Sequence, residues 1–229
     1  MPARIGITLG DLNGIGPEIA LKAVYRKRWP AGTRFVLLGH SGVLIAQARR
    51  FGFPDPREIA DLAEAPAARV TVWDPARIPL RWTPGQIVPE VSRAAAEWIR
   101  AAVRACLDHQ LDALVTAPIC KEGFHRAGVM VPGHTEMLAE LCGTRRFAMM
   151  LFGGPLRVVL ATRHIPLAEV SRRLTPDVVE EAIGLAAEAL PWLGSRKARV
   201  AVAGLNPHAG EGGDIGREEI TVIEPVIRS

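Results

Sequence analysis

Short apolar runs alternate along this chain with longer stretches in which apolar residues recur every three or four positions. Residues 4–9 read as a first strand and 10–16 as a glycine-containing turn. Pro17 then suits the start of a helix carrying Ile19, Ala20, Ala23 and Val24, with Glu18 favourable in its first turn. Residues 35–38 form a second strand. Residues 43–51 form a helix stopped by Gly52, with Pro54 just beyond. Val70–Trp73 is a strand, 91–107 a long helix and Ala113–Thr116 another strand. This alternation predicts an α/β fold with a largely parallel sheet.

The second half reads differently. Apolar runs at 147–152 and 156–161 flank Gly153-Gly154-Pro155, which predicts a hairpin and hence a mixed sheet. Residues 175–190 form a helix with Thr175 as N-cap and Pro176 at its first position. Residues 199–203 read as a buried strand, and the loop GLNPHAGEGGDIG follows at 204–216. A last helix runs from Arg217 toward Glu224, with Pro225 as a stop or kink. The pattern divides into two α/β domains, 1–130 and 131–229, with the boundary near 128–133.

Composition narrows the classes. The 229 residues are 48% hydrophobic and 23% charged, ordinary for a soluble globular protein. Net charge is +4, yet only Lys22, Lys27, Lys121 and Lys197 are lysines, and the arginines are scattered without interleaved aromatics. Nucleic acid is therefore excluded as the expected partner, and an anionic small molecule fits better. Cys106, Cys120 and Cys142 lack metal-type spacing and read as reduced thiols. The chain opens on a strand pattern rather than a signal segment, and no apolar run approaches the ~18 residues of a membrane helix. A cytoplasmic protein with no membrane association is expected.

Two histidines on strand-end loops, His164 in ATRHIPL and His208 in the glycine-rich loop, suggest a metal site. A lone histidine is more often an ordinary polar group; the pair carries more weight. No third ligand in the same style is evident, and His40, His109 and His125 read as loop or helix-surface residues. VPGHTE places His134 and Thr135 at a helix start, where a cap or a phosphate-binding terminus would use the same residues. TLGDLNGIGPE is not the dinucleotide fingerprint. Its Asp11 and Asn13 fit either turn chemistry or polar contacts in a cleft. In TAPICKEG, Lys121 fits an anion contact, a proton shuttle or a solvated first helical turn. Lys121 and Asp11 are the catalytic candidates, and Asn13 and Asn206 further loop candidates.

Together TLGDLNGIGPE, TAPICKEG, VPGHTEMLAE, ATRHIPL and GLNPHAGEGGDIGREEI resemble, in order, the 4-hydroxythreonine-4-phosphate dehydrogenase family of pyridoxal phosphate biosynthesis. The resemblance implies two α/β domains with a cleft, similar to the isocitrate and isopropylmalate dehydrogenases, in a homodimer with the active site at the interface. It implies NAD (or NADP) and one divalent metal (zinc, magnesium, manganese or cobalt). His164 and His208 would be metal ligands, and His134 and Thr135 would bind the substrate around its phosphate. The reaction implied is oxidation and decarboxylation of 4-phosphohydroxy-L-threonine. The same chemistry on threonate or erythronate 4-phosphate is the alternative. The family's third metal histidine and later substrate and NAD contacts lie in a C-terminal segment absent here. An inactive shortened chain that folds and dimerises is therefore a further alternative.

Overall fold

The computed structural model describes residues 3–64, 68–79, 81–131, 133–194 and 199–229. It divides into two compact units, Met1–Gly143 and Thr144–Ser229. The first unit contains β1 (Arg4–Thr8), α1 (Gly16–Arg26), β2 (Arg34–Leu38), α2 (Ser41–Arg50), β3 (Arg57–Ile59), β4 (Val70–Trp73), α3 (Pro89–Leu107), β5 (Ala113–Thr116), α4 (Lys121–Arg126) and α5 (His134–Leu141). Its five strands pair in parallel in the order β3-β4-β2-β1-β5. The register sets Ile7 against Leu37 on one side and Val115 on the other.

Parallel strands need both faces covered, and the apolar runs supply that cover. Phe35, Leu37, Leu38 and Val72 are buried, as are Leu21 and Val24 of α1 and Leu44 of α2. The long helix α3 buries Val91, Ala95, Trp98, Ile99, Ala102 and Ala105 along one stripe, and Ser92, Ala94, Ala96, Ala101 and Val103 on its flanks. Its alanines let the helix approach closely. The fully buried Trp98 donates its indole N–H to Asp74 Oδ1 at 2.9 Å, so no polar atom is stranded.

The chain adds β2 on one side of β1 and β5 on the other. The β1/β5 carboxyl ends are therefore the switch point at which parallel α/β sheets bind ligands. The unit boundary falls after α5, later than the 128–133 expected from sequence. The reason is packing: Met137 is buried in the first core and Leu138 and Leu141 pack against it.

The second unit contains the antiparallel hairpin β6 (Met150–Gly153) and β7 (Leu156–Val159), then α6 (Val170–Arg173), α7 (Pro176–Ala189), a π-helical turn (Glu219–Ile223) and α8 (Glu224–Arg228). Parallel and antiparallel pairing both occur, as a mixed sheet requires, but in separate sheets among the described residues. Leu174, Val179 and Ile223 form a small core with Ala161, Val202 and Val226 against it.

Three local expectations fail here. Residues 199–203 are coil rather than strand, with no ladder partner among the described residues, and Val200 is exposed. Thr175 stands at the N-cap of α7, but its hydroxyl makes no capping bond. Pro225 does not stop the last helix. It sits in the first turn of α8, and the π-helical turn leads directly into it. Lys197 lies outside the described residues. No described helix is long and apolar enough to cross a membrane.

Candidate active site

In the first unit the candidate residues gather at the β1 and β5 ends. Thr8 and Ala117 are joined by the Ala117 N–H donating to Thr8 O at 2.9 Å, and the Asp11 N–H donates to Pro118 O at 2.9 Å. Gly10 lies between them at φ +62°, and a Cβ there would stand 2.2 Å from Pro118 O. Only glycine permits both the left-handed backbone and this approach.

Asp11 follows directly. Its Oδ1 accepts the Asn13 N–H at 2.9 Å, an Asx-turn. Burial pushes the Asp11 pKa up, and the Asn13 N–H draws it partly back. A desolvated carboxylate at the switch point suits a general base. Asn13 is committed elsewhere: its Nδ2 donates to Gln86 O at 3.0 Å and its Oδ1 accepts the Thr83 N–H at 2.9 Å. It is 4% exposed and staples the 83–86 loop to the turn.

Across the switch point, Lys121 opens α4, whose N-cap Cys120 accepts the Gly123 N–H on Sγ at 3.3 Å. Lys121 enters no salt bridge among the described residues. Its Nζ would stand 3.9 Å from a Cβ on Gly133, the residue preceding α5. His134 opens α5 and is half-buried, and its Nε2 is sealed from solvent without a hydrogen-bond partner. Burial, and then the Lys121 charge, push its pKa down. Thr135 is half-buried in the first turn of α5; Gly133, not Thr135, takes the N-cap position. A buried imidazole nitrogen without a partner and an ammonium in no ion pair among the described residues thus lie near the start of α5.

The second unit carries the other histidines. His164 lies in the turn beyond β7, exposed, at φ +52°. His208 is also exposed, at φ +51°, and begins a run in which Ala209, Gly210, Glu211, Gly212 and Gly213 all hold positive φ. This is a left-handed helical turn, rare for L-residues, which lose roughly 1–2 kcal/mol each in that conformation. Such strain persists only where neighbours over-determine it, and it clusters at functional sites.

Glu219, which the sequence reading passed over, supplies that constraint. It is 5% exposed, and its Oε1 accepts the backbone N–H groups of Leu205 and Asn206, both at 2.7 Å. The Asn206 side-chain Nδ2 donates to Glu219 Oε2 at 2.9 Å and to Glu218 Oε2 at 2.7 Å. Glu218 also accepts from the Ser171 hydroxyl; that bond first, and then Asn206, lower its pKa to about 2. The Asn206 amide nitrogen is thus spent within the protein. The doubled acid at 218–219, just after the last loop glycine, is the sequence signal that could have found this pair.

No group of three or more His, Cys, Asp or Glu side chains able to hold a metal exists among the described residues. His164 and His208 alone fall short of the roughly three protein ligands of a catalytic ion. His40, expected as a loop or helix-surface residue, lies in the loop before α2 and caps that helix, its Nδ1 accepting the Val43 N–H at 3.4 Å. It lines an open cleft of about 480 Å³ with Glu58, Asp74 and Arg77, away from the switch point and holding none of the candidate residues.

A parallel α/β unit with a partly desolvated acid at its strand switch point has the framework of a metabolic enzyme. More particularly, the chain belongs to the family described as pyridoxal phosphate biosynthetic protein PdxA, which it matches over residues 32–229. It is 42% identical over 231 residues to the 4-hydroxythreonine-4-phosphate dehydrogenase of Desulfosudis oleivorans, covering 98% of this chain and 68% of that one. It is 39% identical over 229 residues to a putative D-threonate 4-phosphate dehydrogenase of Bradyrhizobium diazoefficiens, covering 98% and 66%. The crystal structure of the Klebsiella pneumoniae 4-hydroxythreonine-4-phosphate dehydrogenase superposes with a TM-score of 0.85 at 35% identity, covering 99% of this chain and 71% of that one. The chain thus spans about two thirds of these relatives.

Proposed function

We propose that this chain oxidises 4-phosphohydroxy-L-threonine with NAD (or NADP) and decarboxylates the product to 3-amino-2-oxopropyl phosphate, within pyridoxal 5'-phosphate synthesis. The observation that carries this is the match along 98% of the chain to a dehydrogenase of that name. The phosphate is proposed to lie at the start of α5, against His134 and Thr135 with Lys121 nearby; the unpartnered His134 Nε2 and the Lys121 ammonium beside Gly133 support this.

The chemistry asks for a hydride acceptor and a base. The carbon bearing the secondary hydroxyl gives a hydride to the nicotinamide, and the hydroxyl proton passes to a side chain. Asp11, raised by burial, and Lys121 are the candidates for that proton. Loss of carbon dioxide then leaves an enolate, which takes a proton at carbon. Phosphate held at the start of α5 would fix the reacting carbon.

Divalent-metal dependence belongs to the proposal, with zinc, magnesium, manganese or cobalt as the ion and His164 and His208 as ligands. Because two imidazoles do not complete a centre, metal addition and chelation decide this part. A homodimer with the active site at its interface is proposed too, in the cytoplasm. The β6–β7 hairpin supports association, since Leu151, Phe152, Leu156 and Val158 are all exposed.

The test is NAD reduction by the purified chain with 4-phosphohydroxy-L-threonine, with and without divalent metal and EDTA. Substrate-dependent reduction is expected. No reduction by folded protein would replace this reading with that of an inactive chain. The similarity to a putative D-threonate 4-phosphate dehydrogenase supports a second reading, the same oxidation on threonate or erythronate 4-phosphate. Higher kcat/KM on the sugar acid than on the amino acid would favour it.

A further inference from the structure

We infer that Glu219, with Glu218 beside it, is the positioning residue that holds the left-handed turn and so sets the place of His208 relative to the His164 segment. The inference rests on the dehydrogenase reading only for its kinetic readout. Four observations carry it, all within the second unit.

First, the turn from His208 to Gly213 is held entirely at positive φ, although His208, Ala209 and Glu211 all carry a Cβ. Second, a buried carboxylate grips the strand of chain entering it, binding both backbone N–H groups at 205 and 206 and the Asn206 amide. Third, the fit is close: a Cβ on Gly210 would lie 3.0 Å from Glu219 Oε2 and 2.7 Å from Gly216 O. Fourth, Glu218 bridges the same Asn206 amide to the Ser171 hydroxyl, on the helix α6 that follows His164 in the chain. One amide and two carboxylates therefore join the two imidazole-bearing segments. Glu219 begins the π-helical turn. An extra residue per turn re-aims side chains, and such turns recur at functional sites. Glu219 has no free role in proton transfer, because both its oxygens are occupied by donors.

The experiment compares wild type, Glu219→Gln and the double variant Glu219→Gln/Ala209→Gly by amide hydrogen exchange and steady-state kinetics. The glutamine turns an NH₂ group toward the Asn206 amide donor and weakens the grip. Exchange in the 204–213 segment should rise at least ~10-fold while amides of β1 and β2 stay within about twofold. The kcat should fall at least ~10-fold with KM within about twofold, since the phosphate receptor sits on other residues. Ala209→Gly removes one left-handed penalty and should recover most of both losses. That rescue separates positioning from general packing. Glu219→Asp, one methylene shorter, is read in parallel should the amide variant not fold. Exchange within twofold of wild type, or losses untouched by Ala209→Gly, would overturn the inference. Exchange needs no substrate, so an inactive wild type sinks the dehydrogenase reading alone and leaves this one decided by exchange and rescue.

Discussion

Gly10 and Pro118 hold the ends of β1 and β5 in contact: a Cβ on Gly10 would stand 2.2 Å from the Pro118 carbonyl oxygen. The neighbouring Asp11 N–H donates to that same oxygen at 2.9 Å. This contact aims Asp11, so its loss should be felt in both stability and activity. Gly10→Ala meets a left-handed φ and a backbone clash together, and should cost at least ~2 kcal/mol. Urea denaturation measures it. A midpoint unchanged from wild type would show that the turn relaxes freely and does not fix Asp11.

Asp11→Asn separates charge from shape. Asparagine keeps the oxygen that accepts the Asn13 N–H and removes a carboxylate that burial penalises. The folded pKa lies above that of the unfolded chain. The group's contribution is therefore full below the unfolded value and is lost as pH rises through the folded one. At pH 7 the variant should be as stable as wild type or slightly more so. If Asp11 takes the hydroxyl proton, kcat should nonetheless fall about 100-fold or more. Wild-type turnover by Asp11→Asn would pass the role to Lys121.

The lowered pKa of His134 makes a prediction with a definite sign. Burial is the larger cause and the Lys121 charge the smaller. The folded protein resists protonating a ring that the unfolded chain protonates near pH ~6.5. Stability is then complete above that pH, declines as pH falls below it, and levels off beneath the folded pKa. Lys121→Met should raise the value part of the way only, because burial remains. Proton NMR titration of the His134 ring reads both. A pKa that does not move in Lys121→Met would show that the Lys121 charge does not act on His134.

The sequence pattern made the first unit legible because its strands are buried on both faces and its helices keep one apolar face. β4 and β5 appear at the residues expected, and β2 begins one residue early. The second unit was harder to read, for physical reasons. The run at 199–203 has strand composition, but a strand exists only when another lies beside it. The glycine-rich loop announced close packing and positive φ. It did not announce that His208, Ala209 and Glu211 would join the glycines in one left-handed turn. Glu219 binds the chain entering that turn, and the doubled acid at 218–219 was its one trace in the sequence, a trace that a solvated helix start would share. Asp11, Lys121, His134 and Thr135 were candidates from motifs. Only the structure showed that Asn13 and Asn206 spend their amide groups inside the protein.

His164 allows backbone and imidazole to be tested apart. It is exposed and holds φ +52°, a conformation that asparagine tolerates and a β-branched residue does not. Exposure means that little packing is lost on substitution. Stability should therefore follow the backbone: His164→Asn within ~0.5 kcal/mol of wild type, and His164→Val lower by about 1–2 kcal/mol. Activity should follow the ring instead, with both variants losing kcat by ~100-fold or more if the imidazole serves the reaction. Denaturation midpoints and NAD reduction on the same preparations give the two answers. Turnover by His164→Asn within twofold of wild type would show that the strained turn at 164 serves the fold alone. Equal stability of the two variants would show that the turn relaxes once the histidine is gone. Only loss of turnover in both variants, with stability lost in the valine alone, would assign the ring to the chemistry and the strain to its presentation.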